Sequence, residues 1–224
     1  MIALSLTIIL TTVLFLVFKE FQKRNINTNQ AITFNYLTAA LIALFIGDVN
    51  YNIYNLINTD WFYSTIALGI FFIIMFNVMA ITTQKLGISI SSMASKMSLI
   101  IPVIGAVIFQ NASIGVYKIL GIMIALIALY LTFKKSGPTA KPTLAIILFL
   151  GAGMLDMWLD FIRNNFLSST ADFNLFIVTV FFTAFSVGLL KIICDRKRII
   201  IKNIVAGIVL GVPNYFSIYF VLLA

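Results

Sequence analysis

The chain has 224 residues, 62% of them hydrophobic and 10% charged, with a net charge of +8. A soluble domain is about half apolar and roughly a quarter charged, and one of this size has too little interior to hide the excess. Histidine is absent and Cys194 is the single cysteine, which excludes an intrachain disulfide, Cys/His metal clusters, zinc hydrolysis and Ser-His-Asp or Cys-His catalysis. No GxGxxG or P-loop motif is present. The composition is that of a polytopic, all-α integral membrane protein with no cofactor and no enzymatic centre. Lys and Arg fall in short clusters between apolar runs, as membrane topology requires, so no nucleic-acid partner is expected.

A membrane helix needs about 20 mainly apolar residues. In chain order the runs that qualify are Ile2–Phe18, Ala31–Ile46, Trp61–Thr83, Leu86–Phe109, Val116–Phe133, Leu144–Ile162, Phe173–Leu190 and Asn203–Ala224. The first has no positive segment before it and no Ala-x-Ala site after it, so it reads as a membrane helix and not a cleaved signal. The second is short and is expected to borrow a turn from Asn29 and Gln30. The connections are short and polar, and none hides a soluble domain.

Positive charge is concentrated in alternate connections. The first carries Lys19, Lys23 and Arg24, and the third Lys85. The fifth carries Lys134, Lys135 and Lys141, and the seventh Lys191, Arg196, Lys197, Arg198 and Lys202. The other side has Lys118 and Arg163 at helix ends, with Asp48, Asp60 and Asp172. The positive-inside rule places the odd connections in the cytoplasm and the N-terminus outside, in the cell (inner) membrane.

A shift of 142 residues lays Ala67-Leu68-Gly69-Ile70 on Val209-Leu210-Gly211-Val212. The spans beginning at Ile2 and Ala31 then fall on those beginning at Leu144 and Phe173 without a gap. The repeat unit is five spans, an odd number, so the second copy is expected to insert upside down, a recurrent build for secondary transporters. A second copy would run past Ala224, so the chain is expected to lack the last two helices of its second unit.

The stretch GISISSMASKMSLIIPVIGAVIFQ, followed by YKILGIMIALIALYLTF, resembles the fourth and fifth helices of EamA-like transporters of the drug/metabolite transporter superfamily. GIVLGVPNYFSIYFVLLA resembles their eighth. The resemblance implies a ten-helix fold of two inverted five-helix repeats, at 1–134 and, cut short, at 143–224, which moves small metabolites across the inner membrane. Two features depart from it. Gln110-Asn111-Ala112 stands where many members carry an acidic residue, and the charges put the N-terminus outside where members often have it in the cytoplasm.

The candidate substrate-binding residues are Lys96, Ser92, Ser95, Asn77, Asp156, Asn214 and Tyr215, with Pro102, Gly211 and Pro213 as hinge or helix-breaking positions. Lys96 lies about ten residues into its span, roughly 15 Å deep at 1.5 Å per residue. An ionised group there costs about 2.5–3.5 kcal/mol on insertion scales and normally faces a cavity or a partner. Ser92, Ser95 and Ser98 surround it, and Pro102, lacking an N–H, is expected to leave the Ser98 carbonyl free. Gly87, Ser91 and Ser95 recur every four positions and suit close helix approach. Asp156, Asp160 and Arg163 share one helix face, with Asp156 deeper and so a candidate proton carrier or partner of Lys96. Asn214 adds a donor and an acceptor where lipid supplies neither, with Asn77 and Gln84 as its expected polar counterparts. The bland alternatives are packing for the serines, snorkelling for Lys96 and a headgroup position for Asp156. The expected function is a secondary transporter of small organic metabolites, with the lipid bilayer and a small-molecule substrate as partners and a homodimer left open. The competing reading is a non-transporting membrane protein or an inactive truncated product.

Overall fold

The computed structural model describes residues 2–47, 56–110, 115–135, 142–167 and 170–222. The connections between these ranges, with Asp48, Asn111, Ala112 and Lys141, lie outside the described residues. Within them the chain is helical: α1 Ile2–Lys23, α2 Thr28–Ile46, α3 Phe62–Leu86, α4 Ile88–Met97, α5 Ile100–Gln110, α6 Val116–Lys135, α7 Pro142–Phe166, α8 Thr170–Cys194 and α9 Ile201–Leu222. Among the described residues, seven helical stretches are long and apolar enough to cross a membrane, one of them running through α4 and α5. Their outer faces carry large apolar side chains such as Ile9, Phe45, Ile74 and Ile208, while Gln30, Asn35, Asn203 and Asn214 are buried. That distribution, apolar out and polar in, is what lipid as a solvent selects.

The helix ends follow local chemistry. Asn27 caps α2, its side chain accepting from Gln30 N at 3.3 Å, and the helix takes in Asn29 and Gln30 as the short apolar run required. The fourth span is not continuous as the sequence reading had it. Gly87, at φ 91°, separates α3 from α4, in a conformation that glycine adopts without strain. Its role is the turn and not helix packing, since a Cβ there would meet nothing within 4 Å. A second break, at Ser98 and Leu99, separates α4 from α5, and Pro102 falls in the first turn of α5, where a missing N–H is tolerated. By contrast, α9 continues through Pro213.

The packing is pseudo-symmetric. The most extensive contacts are α2 with α9 and with α8, α1 with α9, α3 with α8 and α3 with α7. Exchanging α1, α2 and α3 for α7, α8 and α9 converts this set into itself. Individual contacts repeat the relation. A Cβ on Gly211 would lie 2.8 Å from the Asn35 carbonyl and 2.6 Å from Thr38 Cβ; one on Gly69 would lie 2.7 Å from the Val180 carbonyl and 2.7 Å from Thr183 Cβ. Gly69 and Gly211 are 142 apart, as the sequence alignment has them, whereas Asn35 and Val180 are 145 apart, as are Thr38 and Thr183. The gapless alignment therefore slips by three residues between α2 and α8. Direction is readable from the same atoms. Gly207 faces the Ala31 carbonyl and Gly211 that of Asn35, so α2 and α9 run parallel. Thr33 meets Gly188 and Tyr36 meets Phe181, so α2 and its counterpart α8 run antiparallel.

The basic ends converge. Gln30, 2% exposed, accepts from Asn203 Nδ2 at 2.7 Å and Ile200 N at 3.3 Å and donates to the Arg198 carbonyl at 2.8 Å. Lys202 Nζ donates to the Arg24 carbonyl at 2.7 Å, and Gln84 Nε2 to Thr28 Oγ1 at 3.0 Å. The first, third and seventh connections thus share one end of the bundle, as their charges require. Helix α6 packs chiefly against α4 and exposes Val116, Ile124 and Leu131.

Candidate functional site

Lys96 is held at the end of α4. Its Nζ donates to Thr11 Oγ1 on α1 at 2.6 Å. The Thr11 hydroxyl donates in turn to the Thr7 carbonyl at 2.8 Å, which turns its lone pairs toward the ammonium. Asp156 on α7 acts electrostatically on Lys96, although no ion pair joins them. Lys96 and Asp156 thus stand on helices that pack together, α4 and α7, with α1 beside α4. All three groups sit well inside their spans, at Ser5–Lys23, Ile88–Ile108 and Thr143–Phe166. Helix α7 extends through Phe166 and so does not end at Asp156. An ammonium at this depth is stabilised by a hydroxyl acceptor and a nearby carboxylate, and both are groups that a polar ligand can replace.

Ser91, Ser92 and Ser98 spend their hydroxyls locally, whereas Ser95 enters these bonds only through its backbone carbonyl. Ser92 Oγ donates to the Ser89 carbonyl at 3.2 Å. Ser91, fully buried, accepts from Thr83 Oγ1 at 2.9 Å and ties α4 to α3. Ser98 Oγ donates to the Ser95 carbonyl at 2.6 Å. The Ser98 carbonyl is not free as expected. It accepts from Ile101 N at 2.9 Å, because the break at Ser98 and Leu99 lets the next turn reach back. The expected partnership of Asn77 and Gln84 with Asn214 is also absent. Gln84 is engaged at the basic end, and Asn77 Nδ2 donates to the Ile73 carbonyl at 2.8 Å on its own helix. Trp158 Nε1 donates to Ser64 Oγ at 2.9 Å and so tethers α7 to α3.

A second polar locus lies at the α2–α9 crossing. Among the described residues, the buried side-chain atoms without a hydrogen-bond partner are Asn35 Nδ2, Asn35 Oδ1 and Asn214 Nδ2. Asn35 is wholly enclosed, and Asn214 shares the face of α9 that carries Gly207 and Gly211. Tyr215, 2% exposed, stacks on Tyr219 with ring centroids 5.9 Å apart. Asn35 and Thr11 escaped sequence reasoning. The available signal was a polar side chain within an apolar run. Among the described residues no group of His, Cys, Asp or Glu could hold a metal ion.

Membrane-length helices, apolar outer faces and a set of buried polar side chains define a multi-pass helical membrane protein. It is 28% identical over 211 residues to an uncharacterized protein of Haemophilus influenzae, a match that covers 89% of this chain and 70% of the relative. No family model and no solved structure matches the chain.

Proposed function

We propose that the chain forms the spanning body of a secondary transporter for small organic metabolites, built from two inverted EamA-like repeats with the substrate site near the midplane. The observation that carries this reading is the intramembrane Lys96 ammonium, held by Thr11 and opposed by Asp156. A charge inside lipid is retained where it serves a pathway or a ligand. The exchange of α1, α2 and α3 for α7, α8 and α9, with α2 and α8 antiparallel, supports inverted repeats. Transporters of that build bind substrate near the bilayer midplane between the repeats. In this reading Lys96 receives an anionic group of the substrate and Asp156 balances it. Asn35, Asn214 and Tyr215 supply neutral contacts at the helix crossing. The basic end faces the cytoplasm. The sequence holds no nucleotide-hydrolysis motif, so movement is passive or driven by an ion gradient. Flux through proteoliposomes, compared between the wild type and Lys96→Met, tests the assignment.

A further inference from the structure

At the basic end, between α2, α3 and α8, a cleft separate from the Lys96 site is lined by Asn29, Thr33, Asn77, Lys191, Lys197 and one carboxylate, Asp195. Its donors are largely uncommitted. Lys191, in the last turn of α8, makes no ion pair among the described residues, and the Asn29 amide makes no hydrogen bond there. Among the described residues Lys197 pairs only with Asp195, at 3.4 Å. Asn77 keeps its oxygen, since only its nitrogen is engaged, and the Thr33 hydroxyl, donating to the Asn29 carbonyl at 2.9 Å, keeps its lone pairs.

The placement of these groups follows the helix ends. The mouth is formed by the last turn of α8 and the first turn of α2, the level at which lipid headgroups lie. Asn77 on α3 lies level with Lys191, since Gly69 meets Thr183 and Ile73 meets Gly188 along the two helices. Leu190 and Ile193, beside Lys191, are 61% and 62% exposed, so lipid-facing apolar surface adjoins the mouth. Two ammonium groups and an amide approach from three separate segments, which suits a group that carries oxygens in several directions.

We propose that this cleft binds a phosphate group, the chemistry shared by an anionic phospholipid headgroup and a soluble phosphate compound. Lys191, Lys197 and Asn29 hold the phosphate oxygens at the mouth of the cleft. Basic pockets between membrane helices on the cytoplasmic side are suited to such headgroups.

The test uses the purified full chain in two arms. In the first, native mass spectrometry measures retention of phosphatidylglycerol against phosphatidylcholine from mixed micelles. In the second, inorganic phosphate is titrated against chloride at equal ionic strength and the thermal midpoint is followed. The variant is Lys191→Gln with Lys197→Gln. The control, at the same end but outside the cleft, is Lys23→Gln with Arg24→Gln. The wild type should prefer phosphatidylglycerol or be stabilised by phosphate. A lipid preference alone assigns the headgroup, and a phosphate effect alone assigns the soluble source. The variant should lose about fivefold in affinity for each lysine removed, whereas the control keeps its affinity. An absence of binding in both arms for the wild type overturns the proposal. Equal losses in variant and control overturn it as well, since that result means diffuse attraction to a basic surface.

Discussion

Tyr36 on α2 and Phe181 on α8 meet with ring centroids 5.9 Å apart, and they stand 145 residues apart, as Asn35 and Val180 do. Both rings stand near the middle of their spans, Thr28–Ile46 and Asp172–Cys194. The Tyr36 hydroxyl donates to the Phe72 carbonyl at 3.0 Å and brings α3 to the same point.

The symmetry predicts matched sensitivity at two glycines. A Cβ at Gly69 or Gly211 would fall within 2.8 Å of backbone and of a threonine Cβ on a neighbouring helix, neither of which is the free end of a flexible chain. Gly69→Val and Gly211→Val should each cost about 1–3 kcal/mol through overpacking. Gly121→Val, where a Cβ meets nothing within 4 Å, should change nothing. Thermal unfolding in detergent distinguishes the three. Tolerance at either glycine with sensitivity at the other would break the equivalence.

The polar clasp at the basic end should behave as a unit. Gln30→Leu keeps the volume but leaves Asn203 Nδ2, Ile200 N and the Arg198 carbonyl without their partner. Each unsatisfied buried group costs about 1–3 kcal/mol. The variant should unfold at a lower temperature, and a cysteine placed at Asn203 should gain reactivity toward maleimide. An unchanged midpoint would show that water replaces the clasp without loss.

Orientation can be read from the native thiol. Cys194 is exposed at the basic end, which the charge distribution assigns to the cytoplasm. An impermeant maleimide added to intact cells should leave it unmodified. Ser169→Cys and Asn52→Cys, each in a Cys194→Ser background, should be labelled. The reverse pattern would invert the absolute orientation and leave the relative sidedness of the connections intact.

The spans were legible because a run of about 20 apolar residues has few other uses. Asn27 signals the start of α2, and Asn29 and Gln30 extend it. The break at Ser98 and Leu99 was harder. Pro102 announces a discontinuity, but proline is equally compatible with the interior of a kinked helix and with the first turn of a new one. The pseudo-symmetry of the packing was visible at Gly69 and Gly211, where small residues mark a close crossing. The three-residue slip between α2 and α8 was not, because two apolar helices align in any register. Lys96 stood out as a charge inside an apolar run. Its partner Thr11 lies 85 residues away, and no local pattern encodes that contact.

The transport assignment rests most directly on Lys96. The full chain, reconstituted in liposomes, should take up members of a labelled panel of small carboxylates and phosphates down their gradients or against a counter-gradient. Lys96→Met should insert and fold as well as the wild type, since it removes an intramembrane charge, and should abolish that uptake. Lys96→Arg should retain part of it, because a guanidinium presents a different donor geometry to Thr11 and to the substrate. Wild-type flux through the Lys96→Met variant would contradict the site, and no flux of any panel member through the wild type would contradict the account of the protein as a transporter of anionic metabolites.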